Sequence, residues 1–169
     1  MSVVGSQEAA DRLAGLAERV GARLVERGET VAVAESSAGG LIAAALLAVP
    51  GASRFFLGGA VVYTVNAREG LLGISAEDMT GLRSSSEPYA QLLAARIQAR
   101  LGATWGLAET GAAGPSGNRY GDPAGHSCMA VAGPRSSVAT LRTGHADRAA
   151  NMQAFAAAAL EQLAAALDG

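Results

Sequence analysis

The chain has 169 residues, enough for one domain with a substantial core, and half of them are apolar. Its formal net charge is −2, so no overall positive field draws it to nucleic acid. All 13 basic residues are Arg, scattered along the chain, and a single cysteine excludes an intrachain disulfide. Aromatic residues are few and Ala and Gly abundant, which implies a core of Ala, Leu and Val at close helix–sheet contacts.

The first helix is expected over residues 7–27, with Ser6 as N-cap and Leu13, Leu16, Ala17, Val20 and Leu24 on one stripe. Gly28 stops it. Residues 30–34 (TVAVA) are continuous and β-branched, as in a buried parallel strand. Then comes Glu35-Ser36-Ser37-Ala38-Gly39-Gly40, followed by an apolar helix that ends at Pro50-Gly51. That apolar run has about ten residues, too few to cross a bilayer. A second strand is expected over 59–64, with Asn66 capping a short helix that carries Arg68, and another short helix after Ser75.

Ser86-Glu87-Pro88 has the form of a helix start: a hydroxyl cap, an acid in the first turn, and Pro where no N–H is needed. That helix should reach Leu101, with Gly102 beyond it. A third strand is expected over 104–108, and a polar, Gly-rich loop over 109–125. Two strands follow, over 127–132 and 138–142, and their short link allows antiparallel pairing. Cys128 lies in the first of them and reads as a small buried thiol. The last helix is expected over 146–167, with Asp147 suited to its N-terminus. Helices alternate with strands, and no linker or repeat divides the chain. The expected class is α/β, a three-layer αβα sandwich with a mostly parallel central sheet, in one domain over 1–169.

Two segments could carry chemistry. Glu35 to Gly40 joins a strand to a helix, the place where α/β sheets bind ligands. Ser36 and Ser37 supply hydroxyls, and Gly39 and Gly40 let backbone come close. The amides of 38–40 could face an anion or an oxyanion. A tight turn capped by Ser explains the same residues without a ligand. The second segment, Thr110-Gly111-Ala112-Ala113-Gly114-Pro115-Ser116-Gly117, also follows a strand. Neither is a Walker A loop or a dinucleotide fingerprint. Smaller candidates are Tyr63, Arg68, His126 and Arg148. Two separated His and one Cys make no metal pattern, and no metal or cofactor is called for.

The ordered set ESSAGG, PGASRFFLGGAVVYT, TGAAGPSG and the HADR segment resembles the CinA C-terminal family over nearly the whole chain. Members with the activity deamidate nicotinamide mononucleotide to nicotinic acid mononucleotide and ammonia. The resemblance implies Ser36 as nucleophile or close participant. It places Tyr63 at the tyrosine of the family's YSNEAK segment and Arg68 at its lysine. Thr110 falls on the threonine of TGIAGPDGG, and Arg148 on the arginine of GDR, a phosphate or substrate contact. Glu35, Ser37, Gly39, Gly40, Gly111 and Gly114 fall beside them as substrate-binding positions.

The sequence departs from the family at Ser37-Ala38, at Arg68 and at Glu109. Arg stays protonated at neutral pH, so Arg68 cannot act as a base. It should clamp substrate or pair with Glu35 or Glu109. The base for an amidohydrolase would come from Glu35, Glu109, His126 or Tyr63. The alternative is a catalytically silent nucleotide-binding module. The expected partner is a small-molecule nucleotide, with neither nucleic acid nor membrane. The expected location is the cytoplasm, and a homodimer is compatible with the sequence.

Overall fold

The computed structural model describes residues 3–169, with side chains from Gln7 onward. Helix α1 (Val3–Arg27) leads into β1 (Val31–Glu35) and α2 (Leu41–Leu47), then β2 (Phe56–Val61) and α3 (Val65–Leu72). Helix α4 (Glu87–Leu101), β3 (Trp105–Ala112), β4 (His126–Ala132), β5 (Ser137–Arg142) and α5 (Arg148–Asp168) complete the chain. The five strands form one sheet in the order β2-β1-β3-β4-β5. β1 runs parallel to both β2 and β3, while β3–β4 and β4–β5 are antiparallel.

Alternation along the strands divides the core in two. Val31, Val33, Trp105, Leu107, Met129 and Val131 face one side, under the Leu13, Val20 and Leu24 stripe of α1 and the Phe155, Leu160 and Leu163 stripe of α5. Ala32, Ala34, Ala108, Cys128 and Ala130 face the other side, under α4. Small residues there let α4 lie close to the sheet. At Gly106 a Cβ would collide with the backbone carbonyl of Ala94 in α4. The Ala- and Gly-rich composition is used at this contact.

The elements differ from expectation in several places, among them β2, which ends at Val61, and α2, which ends at Leu47. Helix α1 starts at Val3, so Ser6 lies inside it and is not its cap. β2 starts at Phe56 because Val31 N–H bonds the Phe55 carbonyl at 2.8 Å and fixes the register three residues earlier than expected. Thr64, not Asn66, caps α3, accepting from Ala67 N–H at 3.1 Å. Among the described residues no short helix lies between Ser75 and α4. A turn closes there instead, with Ser75 N–H on Asp78 Oδ2 at 2.9 Å. Finally, residues 109–112 continue β3 and are not loop, since β4 pairs with them from Glu109↔Met129 to Ala112↔His126. The Ser86 cap, the Leu101 end of α4 and the Asp147 cap of α5 are as expected.

Candidate active site

The site is built at the carboxyl ends of the two adjacent parallel strands β1 and β3. Glu35, the last residue of β1, is 1% exposed. Its carboxylate accepts from the N–H groups of Gly40 at 3.1 Å, Ile42 at 2.9 Å and Ala43 at 2.9 Å. It therefore caps α2 from below, as an acid at a helix N-terminus does. Gly39 and Gly40 have φ values of 69° and 97°, a left-handed pair that turns the chain from strand into helix.

Glu109 reaches across from β3 and is fully buried. It accepts from Ser36 N–H at 3.2 Å, Ala38 N–H at 2.8 Å and Ser127 Oγ at 2.8 Å, and from Ser37 Oγ. Burial pushes Glu109 above the ordinary carboxylate range, although these four donors pull it down. Glu35 is raised for the same reason, desolvation, opposed by its backbone donors, with Glu109's charge adding to the rise. The two acids together hold the turn that presents Ser36.

This arrangement changes the expected role of the turn's amides. Ala38 N–H is taken by Glu109, Gly39 N–H by the Ser36 carbonyl at 3.2 Å, and Gly40 N–H by Glu35. None of the three faces a ligand. The expected pairing of Arg68 with Glu35 or Glu109 is also not made, because both acids are engaged elsewhere.

Two adjoining cavities open over the turn. The inner one, of about 340 Å³, is lined by Ser36, Tyr63, Arg68, Thr110 and Gly111, together with Ser84 and Ser85. The outer one, of about 240 Å³, is lined by Ser37, Tyr63, Gly111, Gly114 and Arg148, with Ser116 to Asn118. Tyr63 and Gly111 form the rim they share. The candidates from three distant parts of the chain thus meet, with Ser36 and Thr110 in one cavity and Arg148 in its neighbour. Glu35, Glu109 and His126 line neither cavity.

Arg148 is held in place, donating to the Gly114 carbonyl at 2.6 Å and to Tyr63 Oη at 3.3 Å. Arg68 is only 9% exposed, and its Nε is buried with no hydrogen-bond partner. It lies beside Tyr89, whose hydroxyl burial pushes up and Arg68 pulls down. Cys128 is buried, and that burial raises its thiol above its ordinary range.

Ser85 is a lining residue that the sequence did not single out. Its φ of 57° is left-handed, a strained state for a residue with a Cβ. Among the bonds that hold it there are Ser85 N–H to Thr110 Oγ1 at 3.3 Å, Ser85 Oγ to the Gly111 carbonyl at 3.3 Å, and His126 Nε2 to the Ser85 carbonyl at 2.9 Å. The only sequence signal was a run of three serines, read solely for the Ser86 cap.

Comparison with known proteins agrees with this architecture. Residues 13–167 match the CinA C-terminal domain. A CinA-like protein of Anaeromyxobacter sp. (strain K) is 41% identical over 166 residues, covering 97% of this chain and 41% of that protein. One of Synechococcus elongatus is also 41% identical, over 79% of this chain and 32% of its own length. The chain thus spans well under half of these relatives. Among solved structures, a CinA superfamily protein of Klebsiella pneumoniae superposes with a TM-score of 0.86 at 29% identity, covering 92% of this chain and 98% of that one. The competence/damage inducible protein CihA of Agrobacterium tumefaciens gives 0.84 at 32% identity, over 94% and 96%. A family match over nearly the whole length, with the same fold beneath it, means that this chain belongs to the CinA C-terminal domain family.

Proposed function

We propose that the crevice binds a phosphorylated pyridine nucleotide of the nicotinamide mononucleotide type and acts on it as an amidohydrolase. Water and the carboxamide would yield the carboxylate of nicotinic acid mononucleotide and ammonia. The observation that carries the reading is the convergence of Ser36, Thr110 and Arg68 on one cavity, with Arg148 in the next. In this reading the phosphate sits in the outer cavity. There Arg148, the Gly-rich strand end and the start of α5 offer donors and favourable potential. The ring then lies in the inner cavity, with its carboxamide at Ser36 Oγ. Thr110 and Arg68 are among the donors left to face the developing oxyanion. Of the four base candidates, only Tyr63 shares a cavity with Ser36.

A second reading, a nucleotide-binding module without turnover, is favoured by two observations. The amides of 38–40 are occupied within the fold, and the family's lysine position holds Arg68, which keeps its proton. Ammonia release from nicotinamide mononucleotide, measured beside a thermal shift with the same compound, tests both. Release that disappears in Ser36→Ala supports the amidohydrolase. A shift without release selects the module, and neither response rejects the site.

A further inference from the structure

The two cavities contain three arginines, Arg68 and Arg119 in the inner one and Arg148 in the outer one, and no Asp or Glu lines either. The charged side chains that line the crevice are thus all basic, although the chain's net charge is −2. The arginines differ in state. Arg148 is exposed and already donates to Gly114 and Tyr63. Arg119 is exposed at the mouth and donates to Tyr120 Oη at 2.9 Å. Arg68 alone of the three is buried, and its Nε–H is unanswered. Burying a guanidinium without an acidic partner is costly, and among the described residues no Asp or Glu pairs with Arg68, so an anion in the cavity it lines would supply the counter-charge.

A neutral amide answers that demand poorly, and a positively charged pyridinium ring beside it answers it worse. A carboxylate answers it well, since its two oxygens match the guanidinium fork. The Ser84 hydroxyl lines the same cavity and can donate to the same oxygens.

We propose that the inner cavity is a carboxylate seat built on Arg68, and that the crevice selects a ligand with two anionic ends: a phosphate outside and a carboxylate inside. The acid is then the preferred ligand over the corresponding amide. If the amide is hydrolysed here, the product carboxylate stays bound at Arg68. The phosphate end rests on the reading of the preceding subsection, whereas the carboxylate seat does not.

Titration calorimetry with nicotinic acid mononucleotide and nicotinamide mononucleotide tests the proposal on the unmodified protein. The acid should bind tighter by about ten- to a hundredfold, the scale of a charge-assisted hydrogen bond. In Arg68→Met the two affinities should converge, and in Arg68→Lys the acid should keep an advantage. Equal or weaker binding of the acid to the unmodified protein overturns the proposal, as does an acid preference that survives in Arg68→Met. If neither mononucleotide binds, nicotinate and nicotinamide are compared by thermal shift. A shift with nicotinate alone, lost in Arg68→Met, retains the seat while rejecting the nucleotide. No shift with nicotinate overturns the seat as well.

Discussion

Glu109 organises the site from beneath without touching either cavity. Replacing it by Leu would orphan the Ser36 and Ala38 amides, at about 1–3 kcal/mol for each buried donor left unmade. Gln can keep one oxygen on the two amides while its NH₂ meets the two hydroxyls, which can turn to accept. Glu109→Gln should therefore fold, and Glu109→Leu should be markedly destabilised in urea. The pH dependence separates charge from geometry. Both Glu35 and Glu109 are raised above the ordinary value of 4.5 by burial. Ionising either one costs more in the fold than in the unfolded chain. Their contribution is complete below 4.5 and is lost as pH rises through the raised values. Glu109→Gln removes one of these losses. Its stability relative to the parent should rise as pH goes from about 4 to about 8, a trend urea midpoints would reveal. A constant difference would mean that Glu109 does not ionise over that range with the cost assigned to it.

At the scale of elements, the close seating of α4 on the sheet depends on Gly106. A Cβ there would meet backbone, so the helix must move. Gly106→Ala should cost about 1–3 kcal/mol, the usual penalty of overpacking, and lower the thermal midpoint. An unchanged midpoint would show that α4 can shift freely. The sequence made α4 legible through Ser86, Pro88 and Gly102, because caps are local chemistry. It made β1 and the Ser36 turn legible through the abrupt change from TVAVA to ESSAGG. It did not reveal that residues 109–112 are strand, since Thr110 and Gly111 look like a turn. Only the antiparallel partner β4, joined through the segment after residue 112, holds them extended. The roles of Glu35 and Glu109 were hidden for a related reason. A carboxylate beside a candidate serine reads as catalytic until its donors are known, and those donors are backbone amides that every residue carries. Ser85 was missed because its left-handed state comes from bonds to residues 25 to 41 positions away.

At the scale of the molecule, the parallel half of the sheet, β2-β1-β3, supplies the strand ends that carry Ser36 and Thr110. The antiparallel half supplies Ser127 and His126, which hold Glu109 and Ser85 from behind. The α/β order could be read from the alternation of helical and strand patterns. The convergence of Ser36, Thr110 and Arg148 could be anticipated from their places after strands, whereas the position of Arg68 beside them came through the resemblance. No helix among the described residues is long and apolar enough to cross a membrane. The central claim is that these four segments form one nucleotide crevice with its phosphate end at Arg148 and its ring end at Ser36. A crystal structure of the protein with nicotinamide mononucleotide tests it most directly. The account predicts phosphate density beside Arg148 and the Gly114 loop, with the carboxamide within reach of Ser36 Oγ. The same compound bound elsewhere on the molecule, or lying reversed with its phosphate on Arg68, would contradict it.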